Sequence, residues 1–196
     1  RSYYKLANYL GLDIAAIAEV CHAHGVLLLV DNAHGAYLRF LETDLHPIAL
    51  GADLCCDSAH KTLPVLTGGA YLHISPTVAD LGEQAEHALS LFASTSPSYL
   101  ILQSLDKANS YFFDFGEKLK AFIPQVENLK EVLIKNGYQL IGNEPLKLTI
   151  KTKPYGYTGF ELAKILEAEN IIVEFADKDY CVFMLPIDNN AIEILK

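Results

Sequence analysis

Five consecutive apolar residues, Val26 to Val30, run directly into Asp31-Asn32-Ala33-His34. A continuous apolar run of this length is what a strand buried on both faces requires, and such strands belong to parallel α/β sheets. Upstream, Asp13 precedes a helical stretch with Ile14, Ile17, Val20 and Cys21 on one face, and Gly25 is placed to end it. Downstream come a short helical segment around Pro47 to Leu50, a second strand near Asp53 to Asp57, a loop carrying Lys61, and a third strand from Gly69 to Ile74. The first half therefore reads as α/β, with parallel strands wherever a helix crosses over.

From Pro76 to about Asn136 the pattern is mostly helical. Leu105, Ala108, Phe112 and Phe115 share one face; Phe122, Val126, Leu129 and Leu133 share another. These aromatics read as core packing. Pro124 is expected to kink or interrupt the second helix. Gly142 to Pro145 marks a break. Beyond it, Leu146, Leu148 and Ile150 alternate as in a half-buried strand, Leu162, Ile165 and Leu166 mark a helix, and Ile171 to Phe175 and Tyr180 to Leu185 read as strands. The tail is thus a β-α-β-β unit of α+β type, and the chain divides into residues 1–142 and 143–196. The sequence opens at Arg1, its one methionine is Met184, and Asn190 to Lys196 reads as the opening of a helix. These ends predict an internal fragment of a longer protein.

The formal net charge of −9 over 196 residues argues against nucleic acid as the main partner. Lys118, Lys120, Lys130 and Lys135 alternate with glutamates, which describes a solvated helix face. Cys21, Cys55, Cys56 and Cys181 have no CxxC or Cys/His spacing for zinc, so no metal is expected. They read as buried, reduced thiols of a cytoplasmic protein. No apolar run approaches the roughly 20 residues that span a bilayer, and no membrane association is expected.

Two residues at the ends of the apolar runs carry candidate chemistry. Lys61, in Ser58-Ala59-His60-Lys61, would become a nucleophile toward an aldehyde if desolvation or a neighbouring cation lowered its pKa from about 10.4. Taken alone it reads as an ordinary loop lysine. Asp31 changes that reading, because a carboxylate at a buried strand end needs a cation or several donors. A protonated pyridine nitrogen about 4 Å away would attract it by roughly 4 kcal/mol at an effective dielectric near 20. Ala33 offers a small surface to a flat ring, and His34 a hydrogen bond to a phenolic oxygen. An aspartate–pyridinium pair with a Schiff-base lysine is the pyridoxal-phosphate arrangement.

Asp31-Asn32-Ala33-His34 also resembles the DEAH box of nucleotide-hydrolysing helicases. The catalytic Glu is replaced by Asn32, and the sequence contains no GxxxxGK[ST] loop. A longer resemblance runs through Asp31-Asn32-Ala33-His34-Gly35, Gly51-Ala52-Asp53, Ser58-Ala59-His60-Lys61-Thr62-Leu63 and Leu66-Thr67 with Leu72-His73. It continues in Thr95-Ser96-Pro97-Ser98-Tyr99, Ser104-Leu105-Asp106, Pro145-Leu146-Lys147-Leu148-Thr149, Tyr157-Thr158-Gly159 and Val173-Glu174-Phe175-Ala176-Asp177. On these motifs the chain resembles the ornithine/lysine/arginine decarboxylases, fold-type-I pyridoxal-phosphate enzymes.

That resemblance implies part of an aminotransferase-like large domain, with a mostly parallel sheet and helices, followed by a small α+β domain. It implies pyridoxal 5'-phosphate as cofactor and decarboxylation of lysine, ornithine or arginine to the amine. Lys61 would form the Schiff base, Asp31 would face the pyridinium, Ala33 and His34 would line the ring, and Ser58 and His60 would meet the phosphate. Lys61 or His60 would return a proton to the substrate carbon. Ser94 and Thr95 would reach the cofactor phosphate of a neighbouring subunit, which implies a homodimer, and Glu174 is a candidate for the substrate's distal cation. Gly68-Gly69 stand where longer members carry a Gln. The family's upstream part, which supplies a phosphate loop and a ring-stacking residue, is not in this sequence, so the fragment alone is expected to be inactive. Other readings are a different reaction on the same cofactor, such as transamination or elimination, and a non-catalytic dimerising or regulatory domain.

Overall fold

A computed structural model describes residues 12–187 and residue 192. The chain divides into two compact units, one of Asp13–Glu117 and one holding the described residues from Lys118 onward.

The first unit opens with α1 (Ile14–Ala23), whose start is fixed by Asp13 Oδ1 accepting from the Ala16 N–H at 3.0 Å. Gly25, at φ +67°, turns the chain out of it. Strand β1 (Leu29–Asp31) follows, then a 3₁₀ segment (Ala36–Phe40), β2 (Leu54–Asp57), the single turn α2 (Ala59–Thr62) and β3 (Tyr71–Ile74). A second 3₁₀ segment (Pro76–Leu81) leads into α3 (Gly82–Phe92) and α4 (Tyr99–Lys135), whose residues from Lys118 onward belong to the second unit. The sheet order is β1-β2-β3, with Leu29, Val30 and Asp31 paired in parallel with Leu54, Cys55 and Cys56.

Four expectations change here. β2 and β3 are antiparallel, so the described sheet is mixed rather than mostly parallel. Residues 58–70 hold only the short turn α2, and the chain folds back beside β2 without a helix to cross over. The apolar run is not buried on both faces. β1 is an edge strand that pairs with β2 alone among the described residues, and Leu29 is 66% exposed and Val26 55%. The segment around Pro47 to Leu50 is a turn, closed by the Ala52 N–H on the Pro47 carbonyl at 2.8 Å. The cysteines are free thiols, but Cys56 is exposed and Cys21 only half-buried; alternation along β2 sends Cys55 inward and Cys56 outward.

Pro124 does not interrupt its helix, because α4 is continuous over 37 residues. The proline sits on the exposed side, while Phe115, Leu119, Phe122, Val126 and Leu129 form one buried stripe at spacings of three and four. Burial along that stripe outweighs one lost backbone hydrogen bond. In the first unit, Phe40 packs on Phe112 and Phe115 of α4 with ring centroids 4.9 and 5.1 Å apart.

The second unit holds an antiparallel sheet in the order β4-β5-β7-β6, made of β4 (Leu140–Ile141), β5 (Lys147–Lys151), β6 (Phe175–Ala176) and β7 (Tyr180–Met184). Helix α5 (Gly159–Ala168) packs on β7 and starts with a reciprocal capping box between Thr158 and Glu161. β4 is additional to the expected strands. β5 is buried on both faces rather than half-buried, Lys147 and Thr149 included; Lys147 satisfies its ammonium on Glu144 at 2.9 Å. Of the expected Ile171 to Phe175 strand only Phe175 lies in β6, which continues to Ala176. The helix expected from Asn190 lies outside the described residues, apart from Ile192. Among the described residues no helix is long and apolar enough to cross a membrane.

Candidate functional site

Parallel pairing brings the carboxyl ends of β1 and β2 to the same edge of the sheet, the usual ligand edge of an open α/β sheet. Asp31 ends β1, opposite Cys56 in the register. It is exposed rather than buried, and its Oδ1 accepts from the Ala33 N–H at 3.2 Å. β2 passes into Ser58, which precedes α2 and makes no side-chain cap bond. Thus Ser58, His60 and Lys61 sit on one turn directly after the strand.

That turn brings Lys61 to His34. Lys61 Nζ lies 2.9 Å from His34 Nε2. An ammonium has no acceptor, so Lys61 donates and His34 receives on Nε2, with its own proton on Nδ1. Lys61 is exposed rather than desolvated, and what distinguishes it is this imidazole. His60 Nδ1–H donates to the Gly69 carbonyl at 2.9 Å, which anchors the ring and leaves Nε2 for other contacts. Ala33 lies between Asp31 and His34 on the same loop and is half-buried. Ser94 and Thr95 are exposed beyond α3, in the same unit, where Ser94 Oγ accepts from the Ser96 N–H at 3.1 Å. Glu174 belongs to the second unit and is exposed; its N–H donates to the Val182 carbonyl at 2.9 Å.

On the other face of the sheet is a cluster that the sequence reading passed over. Asp57, 3% exposed, receives His46 Nε2 at 3.0 Å and His73 Nε2 at 2.9 Å on one oxygen. Its other oxygen accepts from Asn32 Nδ2 at 2.8 Å. Burial alone would raise its carboxyl; the donors from His46, His73 and Asn32 outweigh that and hold it well below the usual carboxylate range. Burial, reinforced by Asp57, pushes the neighbouring Cys55 thiol far up and keeps it inert. The His46 and His73 rings meet edge-on with centroids 5.0 Å apart. They line a cavity of about 630 Å³ with Asp57, Arg39, Phe40 and Phe112.

The three ligand-capable atoms of His46, Asp57 and His73 lie within 4.8 Å of one another. The Ile48 N–H points at His46 Nδ1 at 3.3 Å. This contact leaves the ring proton on Nε2, the atom a metal would need. The cluster is therefore a hydrogen-bonded hub. One sequence signal marked it: Asp57 is a second strand-end carboxylate, directly before Ser58. Nothing local linked it to His46, in the loop just before the Pro47 turn, or His73, on the returning strand. A separate buried carboxylate, Asp53, accepts from the Leu28 N–H at 2.7 Å and His22 Nε2 at 2.9 Å and ties α1 to the strand start.

Against this geometry, a family model described as Orn/Lys/Arg decarboxylase, major domain, matches residues 5–141. The chain is 36% identical over 188 residues to the uncharacterized protein YaaO of Bacillus subtilis, covering 89% of this chain and 38% of that protein. It is 31% identical over 195 residues to an arginine decarboxylase of the same organism, covering 90% of this chain and 40% of the relative. A serine hydroxymethyltransferase of Staphylothermus marinus is 29% identical over 166 residues, covering 82% of this chain and 37% of the relative. The chain thus spans about two fifths of the length of these curated relatives. By the match over most of its length, the chain belongs to the Orn/Lys/Arg decarboxylase family.

Proposed function

We propose that the protein containing this chain is a pyridoxal-phosphate-dependent decarboxylase of a basic amino acid: lysine, ornithine or arginine. The observation that carries the proposal is the 2.9 Å Lys61–His34 contact at the shared carboxyl edge of β1 and β2. Family membership and the arginine decarboxylase relatives support it.

The residues present suit that cofactor. Lys61 is an accessible amine for its aldehyde, and Asp31 is an exposed carboxylate for a protonated ring nitrogen. Ala33 and His34 would flank the ring, Ser58 and His60 the phosphate end, and Ser94 and Thr95 the phosphate of a second subunit in a homodimer. Glu174 is assigned to the substrate's distal cation. Bound pyridoxal phosphate supplies an electron sink for the pair left when a carboxylate departs as carbon dioxide.

The chain's own part is proton handling and charge placement. His34 Nε2 accepts from Lys61 Nζ and directs the amine. Asp31 holds its negative charge at the strand end, where a ring proton would be kept. Lys61 Nζ–H, or His60 Nε2–H once its imidazole has taken up a second proton, would hand a proton to the substrate carbon; the bond from His60 Nδ1–H to the Gly69 carbonyl supports this by fixing the ring. The family match ends at residue 141, which supports a domain limit near Gly142. A cytoplasmic location is part of the same proposal.

Full-length protein loaded with pyridoxal phosphate and offered lysine, ornithine or arginine in turn tests the reading. Release of carbon dioxide with the matching amine from one of them is expected. Transamination or aldol products would favour another reaction on the same cofactor, a reading to which the serine hydroxymethyltransferase relative lends weight.

A further inference from the structure

The side chain of Asn32 is held between two neighbours. Its Nδ2 donates to Asp57 Oδ1 at 2.8 Å, and a Cβ on residue 35 would overlap its Oδ1. Gly35 has φ −109°, open to any residue, so glycine is needed there for space and not for backbone conformation. The Asn32 N–H also donates to the Cys56 carbonyl at 2.9 Å and carries the β1–β2 ladder one step beyond the strands. Asn32 immediately follows Asp31 and stands two residues before His34, while Asp57 immediately precedes Ser58. One amide–carboxylate bond therefore joins the loop bearing Asp31 and His34 to the turn bearing Ser58, His60 and Lys61. Asp57 cannot swing away from it, because His46 and His73 grip its other oxygen at 3.0 and 2.9 Å.

We propose that Asn32 and Asp57 are positioning residues for the Lys61 site, a clasp that fixes the His34 loop against the Lys61 turn. The proposal rests on the pyridoxal-phosphate reading above. Neither residue is assigned contact with cofactor or substrate. Asp57 is turned to the opposite face of the sheet, so it acts through Asn32 and through the backbone at Ser58. Losing the clasp should let the Lys61 and His34 partners drift apart by the fraction of an ångström that matters to a preorganised site.

The test uses full-length protein and three changes: Asn32→Asp, the exchange pair Asn32→Asp with Asp57→Asn, and Gly35→Ala. Asn32→Asp sets two carboxylates against each other; the exchange pair restores one amide and one carboxylate in reversed order. Gly35→Ala keeps every polar group and displaces the Asn32 amide. Pyridoxal-phosphate affinity is read from the visible absorption band, together with the pH midpoint of that band. Asn32→Asp and Gly35→Ala should each weaken affinity about tenfold to a hundredfold, the range of a lost charge-assisted hydrogen bond, and shift the midpoint. The exchange pair should recover most of both. Wild-type affinity and midpoint in Asn32→Asp overturn the clasp, as does a folded exchange pair that recovers neither. If the exchange pair does not fold, unchanged binding by Gly35→Ala overturns it. A wild type that takes up no cofactor overturns the parent reading and with it this role. Thermal melts of cofactor-free single and double variants then still report whether positions 32 and 57 are coupled, so the two failures are distinguishable.

Discussion

Lys61 and His34, 27 positions apart, meet at 2.9 Å because two parallel strands end at the same edge. The contact gives the amine a directed acceptor that neither strand supplies alone. His34→Ala in the full-length protein should slow attachment of pyridoxal phosphate to Lys61 about tenfold. Peptide mass spectrometry after borohydride reduction at fixed times measures this, and an unchanged rate would remove His34 from the site.

Asp57 is the structural counterpart on the opposite face. Truncating it leaves His46, His73 and Asn32 with donors facing no carboxylate. Asp57→Ala should destabilise the protein by about 3 kcal/mol, at the lower end for a broken buried pair. Asp57→Asn keeps an acceptor for the imidazoles and should cost about 1 kcal/mol. Urea unfolding at neutral pH compares the two.

The same group sets an acid limit. Burial raises the Asp57 carboxyl, but the donors from His46, His73 and Asn32 leave it depressed when folded. A depressed carboxyl contributes stability that is complete above its unfolded pKa of about 3.9 and is lost as pH falls toward the folded value. Unfolding free energy should therefore drop between about pH 5 and pH 2. Asp57→Asn should flatten that drop, and Asp53, also depressed by the Leu28 N–H and His22 against its burial, should account for part of the remainder.

In the second unit, Gly159 opens α5 against β7. A Cβ there would overlap the carbonyl oxygens of Tyr180 and Asp177, and backbone atoms cannot yield as a flexible side chain does. Gly159→Ala should cost about 3 kcal/mol by overpacking, read as a lowered denaturant midpoint with the slope unchanged.

Local pattern carried the helices and the placement of Lys61. Asp13 and Gly25 bound α1 as their chemistry requires, and the apolar spacing through Phe122, Val126 and Leu129 marks the buried stripe of α4. The antiparallel return of β3 was not legible, since it depends on a connection that turns back without crossing the sheet. Pro124 shows a related limit: local propensity spoke for a kink or an interruption, and the buried stripe on both sides of it keeps the helix uninterrupted. The His46–Asp57–His73 hub draws on three elements, so no spacing in the sequence could reveal it. Asp31 and Lys61 were found because one ends β1 and the other sits on the turn after β2, strands that an apolar run or alternation makes visible. Their exposure was not foreseen: among the described residues β1 pairs with β2 alone, and Lys61 lies on an exposed turn.

The central claim is that Lys61 is the cofactor-bearing lysine. Full-length protein incubated with pyridoxal phosphate, reduced with borohydride and digested should carry one stable pyridoxyl-phosphate mass addition, on the peptide containing Lys61. That addition should disappear in Lys61→Ala. A stoichiometric addition on another lysine, or none on wild type that is otherwise folded, would contradict the account.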